Sequence, residues 1–428
     1  MRRALIRMFA IVLFGTVLGS FASAQEWTRF RGPNGQGESE TSTIPASWTD
    51  KDLNWKIELP GIGHSSPVLW GDKIFLLSAD PKDATRYVLC INAADGKTIW
   101  RRDYPGVTHK LHVNSSYASV TPAVDAERVY VAWSDPDFTR LMALDHQGNE
   151  VWTINLGSWM SQHGFGCSPM LYDDLVVLNC SQEDSKLPGL PLPKEAFIVA
   201  VEQSTGKIRW RTDRKMDSAS YSVPTVRKNE AGQDELLCNS QGEGLFALDP
   251  KTGTENWSLP VLSMRSVSCP LYVGGLVFGT TGAGAGVHYL VAVRPGKVPQ
   301  EEYRIKQTPP GFPSASIASY VATPVCRGNL MFIFEDRQGH VTCIHAPTGK
   351  VLWFKPRVGA PFFGSPVRAG DRVFCVDTAG TVVCLAADKE FKELGRTELN
   401  ELCRSTPAIA GGRMYVRTIS HLYSVGGK

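Results

Sequence analysis

Eight times along the chain a small residue followed by proline opens an apolar run. The prolines are Pro67, Pro122, Pro169, Pro224, Pro270, Pro324, Pro366 and Pro407, at intervals of 41 to 55 residues. Each run breaks at a Gly-Asp-type turn, as in Trp70-Gly71-Asp72 and Ala369-Gly370-Asp371, and a second apolar strand follows. A third strand leads to a polar turn with Gly, and a fourth carries Trp, as in Asp95-Gly96-Lys97-Thr98-Ile99-Trp100. The repeat predicts four short strands per unit. Glycine takes the positive φ of a tight hairpin, and proline is tolerated at a strand's first residue. Runs such as Val129-Tyr130-Val131-Ala132-Trp133 are apolar on both faces. Such strands must be covered from both sides. No long helical period is present, and polar loops are expected around 186–195 and 300–316.

Repeats of this length stack as blades, so the pattern predicts an all-β, eight-bladed propeller of four-stranded antiparallel blades. The eighth unit, from Thr406 to Val425, has room for three strands. Asn54-Trp55-Lys56-Ile57 reads as its missing fourth, so strands from both ends of the chain would close the ring and remove exposed edges. The expected division is a leader over 1–24, an extension over 25–53 and one propeller over 54–428. Trp55, Trp100, Trp152, Trp210, Trp257 and Trp353 are the expected blade anchors, each burying its rings between blades with its N–H on a partner. Two units depart: the fifth offers Tyr303 without a Trp, and the seventh offers Leu394.

Charge and cysteine usage narrow the function. Arg2, Arg3 and Arg7, an apolar run over 8–18 and Ala22-Ser23-Ala24 before Gln25 read as an export signal cut after Ala24. The run is too short for a membrane span, which needs about 20 apolar residues. The expected location is periplasmic or extracellular, with no transmembrane segment and a monomeric state. Without the leader's three Arg, the basic and acidic residues balance, which speaks against nucleic acid as a partner. The ten Cys are scattered through apolar strands and read as buried small hydrophobes. Cys375 and Cys384 flank one turn and are a candidate cross-hairpin disulfide. No CxxC pair occurs, which removes zinc-ribbon and thioredoxin chemistry.

The turn-Gly-Lys-x-x-Trp unit resembles the repeat of the PQQ-binding-like β-propellers. The segments Trp27, Phe30-Arg31-Gly32-Pro33-Asn34-Gly35 and Gly63-His64-Ser65-Ser66-Pro67 are similar to that group over roughly residues 27–425. The resemblance implies fold more than function. One branch, the quinoprotein alcohol dehydrogenases, implies pyrroloquinoline quinone (PQQ) with calcium, a catalytic Asp and usually adjacent Cys; this chain has no adjacent Cys pair. The BamB-like branch implies a non-catalytic role in outer-membrane assembly, and this chain lacks that branch's lipoprotein Cys.

The loops entering the innermost strands should converge around the central channel. They bring His64, Asn114, Tyr117, His163, Phe165, Tyr221, Arg265, Tyr320, Phe363 and Arg404. Aromatic and Arg residues at such turns suit ligand or peptide binding. Such side chains also plug a narrow channel, so both readings stand. His109 and His112, with His163, are a weak metal candidate, and no metal is expected. No Gly-x-Ser-x-Gly elbow supports a hydrolase. The pairs Glu183-Asp184 and Glu335-Asp336 would point to opposite faces of a strand, which makes them poor acid–base devices. The Gly-rich 280–286 reads as a hairpin loop. The expectation is a non-catalytic binding or interaction scaffold with a protein or peptide partner, or a small ligand in the channel. No cofactor is expected; a PQQ-dependent dehydrogenase is the alternative.

Overall fold

The computed structural model describes residues 26–183, 195–215, 217–284, 286–306 and 316–427. The expected leader, Asp184, Ala285 and most of the two polar loops lie outside the described residues. Eight antiparallel sheets follow one another around a ring. The first blade shows the pattern: Val68–Trp70 innermost, then Lys73–Ala79, Arg86–Asn92 and Thr98–Tyr104 outermost. The second and third strands are almost wholly buried, while the outermost buries only Trp100 and Tyr104 of its seven residues. That difference is why the third and fourth strands read so unlike each other in sequence. In the eighth blade Leu53–Glu58 pairs antiparallel with His421–Gly426 and closes the ring.

The anchors dock as their chemistry requires. The indole N–H groups of Trp55, Trp100, Trp152 and Trp210 donate to Ala93, His146, Gln203 and Pro250 carbonyls at 2.8–3.1 Å. Each acceptor lies in the turn of the following blade. Trp353 is half-buried and donates to Asp388 at 3.2 Å. Trp257 instead meets the Glu235 carboxylate of its own blade at 3.3 Å. The glycine of the next turn lies flat on the ring: a Cβ on Gly148 or Gly206 would sit 2.8 or 2.6 Å from Trp100 or Trp152. These glycines therefore answer a close approach as well as a positive φ. In the fifth blade Tyr303 takes the Trp position, its hydroxyl bonded to Ala346 O and its ring against Gly349.

The small residues before the prolines form a belt. The backbone N–H of Ser66 donates to Thr121 Oγ1, Thr121 to Ser168, Cys269 to Thr323, Thr323 to Ser365, Ser365 to Thr406, and Thr406 back to Ser66, all at 2.9–3.0 Å. Val223 N–H reaches Cys269 Sγ at 3.4 Å. The one gap follows Ser168, because Val223 carries no acceptor.

Three expectations change. Gln300–Ile305 is the fifth blade's outermost strand, not loop. Its polar residues face solvent, as in every outer strand. In the seventh blade the Trp position is Gly395, opposite Cys384, where a Cβ would meet Ala46 O at 2.5 Å. Leu394 is not the substitute; the chain before the closing strand covers the site, with Trp48 buried beside it. All ten Cys are free and buried. Cys375 pairs with Val383 and Cys384 with Phe374, so the two sulfurs lie on opposite faces of the blade.

Candidate functional site

The loops before the prolines open onto one face and surround a bowl of about 620 Å³. Its floor carries belt residues such as Thr121, Ser168 and Thr323, and one side chain from outside the repeats, Phe30. Phe30 belongs to a plug. Trp27 pairs with Leu69 in blade one, and Thr28 O accepts Val124 N–H of blade two at 2.8 Å. Arg29 donates to Pro224 O in blade four at 2.7 Å. Arg31 donates to Thr323, Pro324 and Pro366 carbonyls of blades six and seven at 2.7–3.0 Å. Gly37 O accepts Arg368 N–H at 2.7 Å, and Glu38–Ser39 then adds a parallel strand to blade seven. Burial pulls both guanidinium groups down to about 10, so they stay charged at neutral pH. The channel is a closed bowl rather than a bore.

Nine of the ten residues expected at this face line the bowl: His64, Asn114, His163, Phe165, Tyr221, Arg265, Tyr320, Phe363 and Arg404. Tyr117 does not. Its hydroxyl donates to His109 O at 2.8 Å and accepts from His109 N–H at 3.0 Å, which braces its own loop. His109 packs on that ring, whereas His112 and His163 bring their rings within 4.6 Å of each other in the bowl. Residues the sequence reading did not place here are Phe30, Asp336, Arg337 and Gln241. The Phe-Arg-Gly-Pro motif around Phe30 was its only signal.

The bowl's electrostatics are cationic. Arg404 donates to Asn114 Oδ1 at 2.8 Å and Val113 O at 3.4 Å, with Phe363 beneath it, and makes no carboxylate pair among the described residues. Arg265 holds Glu183 at 2.5 Å and reaches His163 Nδ1 at 3.2 Å. Arg337 donates to Gly286 O at 3.0 Å. Burial, then the charges of Arg417 and Arg404, push His64 down to about 3. Burial, then Arg265 and His112, hold His163 near 4. Both imidazoles are neutral at pH 7, chiefly because they are buried, and the neighbouring cationic charges add to the effect. Among the described residues lining the bowl, Asp336 carries a carboxylate, and Glu335 lies buried beside it. His112 Nδ1 accepts Asn114 N–H at 3.2 Å, and His163 Nδ1 is taken by Arg265, so neither nitrogen activates a serine. The arrangement suits recognition of an anionic, partly aromatic or apolar group.

A family model described as outer membrane protein assembly factor BamB matches residues 193–360 and 337–425. Among solved structures, BamB from Moraxella catarrhalis aligns with 87% of this chain and 99% of its own, at TM-score 0.59 and 14% identity. Quinohemoprotein alcohol dehydrogenase from Comamonas testosteroni aligns with 94% of this chain and 80% of its own, at TM-score 0.67 and 13% identity. These likenesses are of fold. A curated relative, tetrathionate hydrolase of Acidithiobacillus ferrooxidans, is 25% identical over 240 residues. The match takes in 53% of this chain and 43% of that protein, so the chain spans less than half of the relative's length.

Proposed function

The chain belongs to the propeller family described as outer membrane protein assembly factor BamB, and on that premise we propose that it is an exported, non-catalytic recognition propeller. Its bowl takes an acidic segment of a partner protein, with a small anion as the lesser occupant. The observation that carries this reading is Arg404, half-buried on the bowl, whose hydrogen-bond partners among the described residues are the neutral oxygens of Val113 and Asn114. A guanidinium so placed gains a charge-assisted, bidentate bond when a carboxylate arrives. Arg337 and the paired Arg265 add to the field, and the N-terminal segment carrying Phe30 floors the bowl. Fluorescence anisotropy of a labelled Glu-rich decapeptide, against neutral and Lys-rich controls, tests it. Arg404→Gln is expected to weaken the acidic peptide at least tenfold. Equal binding of the Lys-rich control, or indifference to Arg404→Gln, sinks the reading.

The quinone alternative fits the residues poorly. Calcium asks for roughly six to eight oxygen ligands. Among the described residues Asp336 lines the wall, Glu335 lies buried beside it, and Glu183 is already held by Arg265, while Arg265, Arg337 and Arg404 surround the bowl. Titration with PQQ and calcium, with redox-dye turnover on simple alcohols, is expected to show neither binding nor turnover. A second reading, hydrolysis of a sulfur oxyanion, draws on the tetrathionate hydrolase likeness and the same cationic wall. Loss of tetrathionate on incubation with the purified protein would favour it over recognition alone.

A further inference from the structure

We propose that His288, Glu335 and Asp336 bind one divalent transition-metal ion, of the zinc or manganese class, in the wall of the bowl. The proposal does not depend on what the bowl recognises. The three side chains are buried, and one potential ligand atom from each lies within 4.8 Å of the others. In sequence they are separated by nearly a whole repeat. The fold joins them because the loop leaving the second strand of blade five meets the turn after the second strand of blade six. Glu335 and Asp336 follow that strand's last residue, Phe334, so the strand alternation that would send them to opposite faces no longer applies.

The imidazole supplies the second observation. Its Nε2 lies 3.1 Å from Ala283 O, where it can only donate. In a neutral ring Nδ1 is then a bare lone pair. It is fully buried, has no hydrogen-bond partner and lies 3.5 Å from Asp336 Oδ1, another acceptor. Two lone pairs facing each other in a buried site call for a cation between them. A proton on Nδ1 would serve Asp336 alone, whereas a metal ion between the three side chains would draw on Glu335 as well. The hydrogen bond from Nε2 to a backbone carbonyl is the outer support that metal-bound histidines usually have. Asp336 is fixed further by Tyr320 N–H at 2.9 Å and Ser319 Oγ at 3.3 Å. Gly282 clears room for the ring, since a Cβ there would stand 2.5 Å from His288 Cδ2.

One nitrogen and two carboxylate oxygens suit zinc or manganese better than calcium. Ligand atoms in a tetrahedral zinc site lie about 3.4 Å apart, so a contraction of up to about 1.4 Å from the 4.8 Å limit would bring the three protein ligands into place. Asp336 reaches the bowl's surface. The fourth position therefore faces the bowl, where a water or an anionic ligand would enter.

The test is calorimetric titration of the chelator-stripped protein with zinc chloride and manganese chloride. One equivalent is expected to bind. His288→Ala and Asp336→Asn should each lower affinity at least tenfold, while the His109→Ala/His112→Ala variant binds as the parent does. No stoichiometric uptake by the parent would overturn the site and leave a proton as the cation on His288. Loss of binding only in the His109/His112 variant would overturn it as well. Should the buried variants fail to fold, zinc-edge X-ray absorption on the parent decides. A shell of one imidazole with oxygens supports the site, and two or more imidazoles refute it.

Discussion

Replacing Gly206 with Ala should cost far more stability than replacing Gly232, although both glycines turn a hairpin at nearly the same φ, +72° and +78°. A left-handed conformation costs an L-residue roughly 1–2 kcal/mol wherever it occurs. At Gly232 that is the whole expected cost, because nothing lies within 4 Å of the added Cβ. At Gly206 the Cβ would stand 2.6 Å from Trp152 Cε3 and 2.7 Å from Cδ2. The indole cannot retreat, since its N–H is held by Gln203 O at 2.8 Å in the same turn. Overpacking of this kind adds about 1–3 kcal/mol, for a total of roughly 2–5. Guanidinium unfolding followed by far-ultraviolet circular dichroism reads the difference as a midpoint shift at constant slope. The Trp152→Ala background supplies the cycle. Losing the ring alone should cost about 3–5 kcal/mol, but adding Gly206→Ala should then cost no more than Gly232→Ala does. Equal costs for the two glycines in the parent would refute the docking argument. So would a full Gly206→Ala penalty that persists without the indole.

Three further outcomes are expected. His64 is held near 3 in the folded chain, below the roughly 6.5 of an unfolded histidine. Its neutral form therefore contributes full stability above pH 6.5, and this is lost as pH falls toward 3, at about 1.4 kcal/mol per unit; His64→Gln should flatten the acid limb of a stability–pH curve by that slope, and an unchanged limb would exclude it. All ten Cys are buried, and burial pushes the Cys90 and Cys167 thiols up to about 12, so Ellman's reagent at pH 8 should titrate none of the ten until the chain is unfolded, and a rapidly reacting native thiol would contradict the packing. Starting the chain at residue 38 should keep a closed ring but expose the underside of the bowl to proteolysis, whereas starting it at residue 60 removes the closing strand and should lower the melting temperature sharply; equal melting of the second truncation and the parent would defeat closure by that strand.

The ring was legible because its two strongest signals are local. Proline at each inner strand, and glycine four residues before Trp100, Trp152, Trp210, Trp257 and Trp353, recur at fixed offsets, and both are set by backbone rules that act over a few residues. The Gln300–Ile305 strand was misread because an outer strand shows solvent most of its side chains, which leaves little apolar pattern. Tyr303 was seen as a missing Trp, when it does a Trp's work with a hydroxyl. Nine residues of the bowl were found by position alone, since any loop before an inner strand must open on that face. Tyr117 does not join them, because its hydroxyl is taken by the His109 backbone of its own loop. The plug was hidden for a different reason. Arg29 and Arg31 bond backbone carbonyls of distant blades, and every residue offers a carbonyl. His288 and the Glu335-Asp336 pair meet only across two blades, so no motif within one repeat could join them.

The extension over 26–52 attaches where the repeat is weakest. The hydroxyl belt lacks one link, between Ser168 of blade three and Val223 of blade four. Arg29 spans that gap from below, donating to Met170 Sδ at 3.5 Å on one side and Pro224 O at 2.7 Å on the other. Blade seven lacks a docking Trp, and there the extension lays Ala46 over Gly395 and exchanges hydrogen bonds between Trp48 and Thr397. Arg372 reaches up to Ile44 O at the same junction. A repeat that loses one of its own inter-blade contacts can persist only if something else buries the exposed edge. The segment that fills these two defects also floors the bowl. A change in the plug should therefore be felt both in the ring's stability and in the shape of the site, because Phe30 and Arg29 are neighbours on one strand of chain.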